Sequence, residues 1–382
     1  MTPPSTAVAE VLERAREHTQ PLMREAVERL VPSMRRVVSY HMGWSDADGN
    51  PTEVKGGKGI RPALALLSAE AAWADASVGA PGGAAVELVH NFSLVHDDLM
   101  DGDEERRHRS TVWALWGPSV AILAGDALST LATEWLLSLP NPCAPAAAAV
   151  LGEATAEMIA GQADDLAFEK RRYVSVEECT AMSMAKTGAL LGCAASIGAV
   201  LAGAPPTTVG ALRDFGRHLG VAFQAVDDLL GIWGEPATTG KPAGNDIRQR
   251  KKSMPIVAAL ASGGDEAREL DLLLFGPEAS GPGEPAPSNA NRSNGSRQNV
   301  GPARAGGADR FMSEAKNLSI LSNEEVERAT WLVEACGGRQ WTAARAKAHL
   351  DSALGALERA RLSAVPRRAL ADLAVYVVER EA

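Results

Sequence analysis

Apolar residues return every three to four positions along almost the whole chain, the spacing of one helix face. On that pattern the sequence predicts an amphipathic helix over Val8–Tyr40, interrupted near Pro21 and Pro32. A second, over Pro62–Ala76, follows the glycine-rich turn Gly56-Gly57-Lys58-Gly59, with Pro62 suited to a helix start. Further helices are predicted over Gly83–Asp101, Ser119–Leu139, Ala144–Phe168, Ser175–Leu201, Thr207–Trp233 and Ser253–Ala261, then Asn323–Ala335, Gln340–Ala360 and Val365–Arg380. Alternation of apolar and polar residues, the mark of a half-buried strand, nowhere runs to a useful length. From Gly276 to Ala308 the pattern stops: Gly, Pro, Ser, Asn and Arg dominate. Such a stretch cannot bury enough surface to offset its ordering entropy, which predicts a disordered insertion at 276–308 inside a single domain spanning 1–382.

Composition narrows the class. Ala, Leu, Val and Glu dominate and aromatics are only 4%, which favours helices. A net charge of −10 argues against nucleic acid as a partner, and the basic residues cluster locally, as a small anionic ligand requires. Cys143, Cys179, Cys193 and Cys336 form no Cys-x-x-Cys pair and suggest neither zinc nor a disulfide framework, so a reducing, cytoplasmic setting is expected. Met1–Arg16 lacks the apolar run of a signal peptide, and Ala189–Ala204 is too short for a membrane span, so no transmembrane anchor is expected.

Two aspartate-rich patches carry the chemistry. The first is His96-Asp97-Asp98-Leu99-Met100-Asp101, followed by Arg106-Arg107. On a helix Asp97 and Asp101 stack on one face with Asp98 beside them, a set able to bind Mg²⁺, which takes oxygen ligands and shares them with substrate phosphates. The second is Gln224-Ala225-Val226-Asp227-Asp228, with Lys241, Asp246, Lys251 and Lys252 after it. Gly231 stands where a third aspartate would complete the mirror of the first patch. Lys58 and Arg61, beside the backbone N–H groups of the glycine turn, can hold a second anion. Lys186-Thr187-Gly188 lies within an apolar helix, where a lysine is costly without an anion, although it can also snorkel to solvent. A rival reading pairs Glu87-x-x-His90 with Glu105-x-x-His108 as a di-iron site, but the second string encloses two arginines that oppose metal binding.

Two anion sites, metals and an apolar interior suggest prenyl transfer, in which a diphosphate leaves and a sheltered carbocation meets a second substrate's double bond. The chain resembles the trans-isoprenyl diphosphate synthases of the polyprenyl synthetase family. The matching strings are GGKGIRP at 56, ELVHNFSLVHDDLMD at 87, RRHRST at 106, GDAL at 125, GQADDL at 161, KTGAL at 186, FQAVDDLLG at 223 and GKPAGNDIRQRKKSMP at 240. The resemblance implies an all-α helical bundle around a deep central cavity. It assigns Mg²⁺, three per active site, to Asp97, Asp98, Asp101, Asp227 and Asp228. It assigns the allylic diphosphate to Arg106, Lys186, Lys241 and Lys251 or Lys252, with Thr187 and Gln224 beside it. It assigns isopentenyl diphosphate to Gly57, Lys58, Arg61, His90 and Arg107. Asp97, Asp98, Asp101, Lys186, Asp227 and Arg106 are then the catalytic set. Gly231 puts one metal contact in doubt, and Gly59 stands where the family often has arginine.

Phe92 and Ser93, five and four positions before Asp97, resemble the chain-length pattern of geranylgeranyl diphosphate synthases, implying a C20 product with C15 as runner-up. The resemblance also implies a homodimer, and a nanocompartment shell is a candidate partner addressed by the 276–308 segment. Two other function classes stay open: a terpene cyclase on the same scaffold, which needs no isopentenyl diphosphate, and a non-catalytic subunit of a heteromeric synthase.

Overall fold

The structure, a computed structural model, describes residues 5–52, 57–235, 243–277 and 321–379. The 276–308 insertion, from residue 278, and Lys241 lie outside the described residues. The fold is all-α, as the periodicity requires. Helix α1 (Thr6–Val27) starts at Ser5, whose Oγ accepts from Val8 N at 3.4 Å, and buries a stripe of Val8, Leu12, Ala15, Met23 and Ala26. It runs through Pro21 without a break; the interruption falls later, where Pro32 opens α2 (Pro32–His41) as a first-turn proline. Helix α3 is Ile60–Ala71, and α4 is Ala76–Asp101 with Asp75 capping Ser77 N at 2.9 Å. α4 therefore begins ahead of the predicted Gly83. Its first two turns are small residues that pack closely and give little periodic signal.

Among the described residues, the expectation of no strand fails at one short hairpin. Glu105–Arg106 and Arg109–Ser110 form a two-residue hairpin, too short to leave an alternation, with Arg107 and His108 at positive φ in its turn. Helices α5 (Val112–Trp116), α6 (Pro118–Leu137), α7 (Ala144–Glu169) and α8 (Val176–Ser183) follow. A π-turn over Met184–Gly188 leads into α9 (Ala189–Leu201), and α10 is Pro206–Trp233. Beyond it come α11 (Asn245–Arg248), α12 (Met254–Ala261), α13 (Gly264–Phe275), α14 (Asn323–Ala335), α15 (Gly338–Glu358) and α16 (Ala364–Glu379). α13 is absent from the sequence prediction because only Ala267, Leu270 and Leu274 mark its inner face.

α9 is apolar all round and sits at the centre, against α3, α4, α7 and α10. α4 also packs on α6, and α10 on α15, so the two helices carrying the acidic patches are each held on several sides. A smaller core joins Ile232, Ile247, Ile256, Leu270 and Leu332 from α10 to α14. Pro118–Leu137 and Val176–Leu201 are long and apolar enough to cross a membrane. The second is the bundle's central segment, with 78% of its apolar window buried; α6 leaves Ile122 and Leu123 exposed.

Candidate active site

α4 stops at Gly102, whose positive φ of 71° turns the chain immediately after Asp101. The ends of α4 and α10 thereby face one cavity of about 440 Å³. Asp97 and Asp101 line it from one side and Asp227 from the other, with Lys58, Arg106, Asp165, Lys186 and Lys251 between them. A second cavity, of about 580 Å³, is mostly apolar, lined by Phe92, Met158, Leu166, Leu190 and Phe223. Asp97, Lys186, Gln224 and Asp227 line both, so the polar chamber opens onto the apolar one at those four side chains.

Of the two aspartates next to these, Asp228 also lines the charged cavity and Asp98 does not. Asp98 is buried and turns away from the shared cavity, accepting from Arg106 Nε at 2.6 Å, and its Oδ2 has no hydrogen-bond partner. A one-residue step on a helix rotates a side chain about 100°, which accounts for the divergence from Asp97. Asp228 accepts from Gln224 Nε2 at 2.8 Å and from Met254 N at 2.9 Å. Gln224 in turn accepts from Thr187 Oγ1 at 2.8 Å. Lys186 donates to Asp165 at 2.5 Å. The π-turn brings Lys186 against α7 where Gly161 has no side chain, since a Cβ there would sit 2.8 Å from Lys186 Cα.

Burial raises the Asp97 carboxyl to about 6, with Lys186 opposing and Asp101 adding to the rise. Burial raises Asp228 to about 7, and Asp246 adds to it. Lys251 is held above its usual range: burial opposes its charge, but Asp246, Asp101, Asp165 and Asp228 outweigh it. Lys252 differs. Its Nζ lies 3.4 Å from the centre of the Phe275 ring, and burial lowers it to about 8. Both lysines line the charged cavity, Lys251 among aspartates and Lys252 against an aromatic ring.

The donor set fits Mg²⁺ shared with phosphate. It is made of hard oxygens, burial and then neighbouring carboxylates make Asp97 and Asp228 resist ionising, and Asp98 Oδ2 is orphaned. No three Asp, Glu, His or Cys side chains among the described residues close on one point, which suits an ion completing its shell with water and diphosphate.

Of the residues assigned to a second anion, Arg61, His90 and Arg107 lie near one another, whereas Lys58 lines the charged cavity. Arg61 is half-buried with Nε enclosed and unpaired, and lines the apolar cavity with His90. Gly57 approaches Arg107, whose Nη2 would lie 3.4 Å from a Cβ there. Burial, then Arg61 and Arg107, keep His90 neutral; burial raises Glu87 although both arginines oppose it. Sequence reading missed His41 on α2, which no motif marks. It lies half-buried beside Arg106 and Arg107 with Nε2 enclosed and unpaired, lowered to about 3 by burial and then by those charges. Asp165 and Asp246, within quoted strings but given no role, also line the cavity. Glu105 and His108 are exposed on the hairpin, so the di-iron pairing does not form.

Phe92 and Ser93 both line the apolar cavity. The Phe92 ring meets His96 edge-on at 4.9 Å, and Ser93 Oγ donates to His90 O at 2.9 Å.

The chain is similar to known proteins over most of its length. Residues 51–280 match the polyprenyl synthetase family model. The chain is 45% identical to (2E,6E)-farnesyl diphosphate synthase of Mycobacterium tuberculosis over 372 residues, 97% of this chain and 93% of that protein. It is 44% identical to the geranylgeranyl diphosphate synthase of the same organism over 270 residues, covering 70% and 77%. The structure of a polyprenyl synthetase from Streptomyces coelicolor A3(2) superposes with a TM-score of 0.82 at 48% identity, covering 97% and 99%. A polyprenyl synthase from Caulobacter crescentus CB15, complexed with calcium and isoprenyl diphosphate, gives 0.75 at 26% identity, covering 98% of each chain.

Proposed function

Because the chain belongs to the polyprenyl synthetase family, and is a prenyltransferase that makes a prenyl diphosphate, we propose that it joins isopentenyl diphosphate head-to-tail (1′-4) to an allylic prenyl diphosphate. The observation that carries this is the junction of a charged chamber with an apolar one at Asp97, Lys186, Gln224 and Asp227. It matches a ligand with a diphosphate head and a hydrocarbon tail.

Mg²⁺ would be held by Asp97, Asp101, Asp227 and Asp228, with Asp98 behind them, and when bound it would neutralise charge on the departing diphosphate. Lys186, Lys251 and Arg106 offer N–H donors to the same diphosphate and stabilise it most as its charge develops. Lys241 and Lys252 complete the proposed set from the sequence. Phe92, Leu166, Leu190 and Phe223 keep water from the allylic carbon. Arg61, Arg107 and Lys58 hold isopentenyl diphosphate with its double bond toward that carbon. His90 is kept neutral and can donate to an anion without titrating. The final proton goes to the released diphosphate.

Geranylgeranyl diphosphate is the proposed product, on the Phe92–Ser93 pair. Farnesyl diphosphate is the second reading, favoured by the 45% identity over 372 residues to a farnesyl diphosphate synthase. A cyclase has no use for the half-buried Arg61 and His90 with Arg107 beside them, and a non-catalytic subunit no use for a complete first patch. The proposal is of one domain acting in the cytoplasm as a homodimer. Exposed Leu115, Ile122, Leu123 and Ile159 on α5, α6 and α7 support a second copy as cover. Incubation with Mg²⁺, isopentenyl diphosphate and each C5, C10 and C15 allylic diphosphate tests the reading. Elongated diphosphates confirm it; hydrocarbon from a single substrate, or no product, overturns it.

A further inference from the structure

The second acidic patch lacks its third aspartate, and the structure fills the gap from elsewhere in the chain. A Cβ on Gly231 would fall 2.5 Å from Asp246 Cγ and 2.7 Å from its Oδ1. The Asp246 carboxylate therefore occupies the space beside α10 where a side chain at 231 would project. Asp246 is 8% exposed and lines the same cavity as Asp97 and Asp227.

Its placement is fixed by backbone. Gly244 N donates to Ile232 O at 3.1 Å, tying the start of α11 to the residue after Gly231. Gly244 has a φ of 69°, and a Cβ there would lie 2.6 Å from Val326 Cγ1, so its backbone packs directly on α14. Two residues on, Asp246 is delivered over Gly231.

We propose that Asp246 is a cation-binding residue of the diphosphate cavity, supplying from α11 the carboxylate that Gly231 omits from α10. The inference rests on the function proposed above. The alternative is that Asp246 only steadies Lys251, whose N–H donates to Asp246 O at 2.9 Å and whose charge it favours.

The two roles separate by measuring the affinity of inorganic diphosphate by equilibrium dialysis, with and without excess Mg²⁺. A carboxylate that binds the cation helps only when Mg²⁺ is present and repels the anion when it is absent. Asp246→Asn should weaken Mg²⁺-dependent diphosphate binding about 10-fold or more, while leaving metal-free binding unchanged or tighter. The reciprocal variant Gly231→Asp/Asp246→Gly returns a carboxylate to the same space and should recover binding to within about threefold of wild type. Gly231→Asp alone, facing Asp246, should bind worse than the double variant. Equal loss with and without Mg²⁺, no loss in Asp246→Asn, or a double variant no better than Asp246→Asn overturns the assignment. Wild-type protein that shows no Mg²⁺-dependent diphosphate binding overturns the function proposed above, and this inference with it.

Discussion

Gln224 Nε2 donates to Asp228 Oδ1 at 2.8 Å, while the other oxygen of Asp228 accepts from Met254 N at 2.9 Å. Asp228 thus joins α10 to the start of α12 with both oxygens engaged; it lines the charged cavity beside Asp227, and Asp227 alone of the two also reaches the apolar one. The neighbouring aspartates should respond differently to the same change. Asp228→Asn leaves one carboxamide oxygen for two donors, so one donor faces an NH₂ group. It should lose about 1–3 kcal/mol of stability, read by denaturant unfolding. Asp227→Asn should instead show the larger fall in turnover, about 100-fold or more.

The wall of the apolar cavity gives a second test. Phe92 is held edge-on by His96, whose Nε2 lies 3.1 Å from Ile122 O, and Gly125 leaves the space the His96 ring fills. Phe92→Ala opens the wall directly and should lengthen the product. Gly125→Ala puts a methyl into the His96 ring and should move the product in the same direction by displacing the support. Mass spectrometry of extracted prenyl alcohols reads both. Unchanged product length in Phe92→Ala would remove Phe92 from the floor.

The helix pattern and the two acidic patches were legible because each is local: a period of three to four for helices, and carboxylates one turn apart at Asp97 and Asp101. What was not legible depends on contacts between distant segments. Asp98 looked equivalent to Asp97, and only the fold sets it against Arg106. Gly231 put one metal contact in doubt, because nothing in the order of residues says that the Asp246 carboxylate lies beside it. His41 sits in a helix with no motif and gains its surroundings from the hairpin at 105–110. The early start of α4 was hidden for a related reason: small residues chosen for close approach carry little hydrophobic period.

That close approach can be measured at Gly198 on α9. A Cβ there would overlap Ala65 O and lie 2.6 Å from Ser68 Oγ and 2.8 Å from Ala69 N, all on α3. Most of the obstruction is backbone, which cannot rotate away. Gly198→Ala gains helix propensity but should still cost about 1–3 kcal/mol, because overpacking at a rigid contact outweighs it. A raised midpoint of thermal unfolding would show that α3 and α9 can part without penalty.

His218 on α10 and His349 on α15 meet with their Nδ1 atoms 3.0 Å apart, on the far side of α10 from the π-turn. Burial lowers both imidazoles, His349 to about 4, with the charges of His218 and Arg345 adding to the effect. Asp214 favours charge on His218, while Arg217 and Arg359 oppose it. Between about pH 4 and the ordinary histidine value of 6.5, the unfolded chain binds a proton at residue 349 that the folded chain refuses. The folded pKa is depressed, so this contribution to stability is complete above pH 6.5 and is lost progressively as pH falls toward 4. Urea unfolding of wild type at stepped pH should show that decline, and His349→Gln should flatten it, since glutamine cannot titrate. Equal slopes in the two proteins would mean that the pair carries no charge penalty and that acid sensitivity arises elsewhere in the bundle.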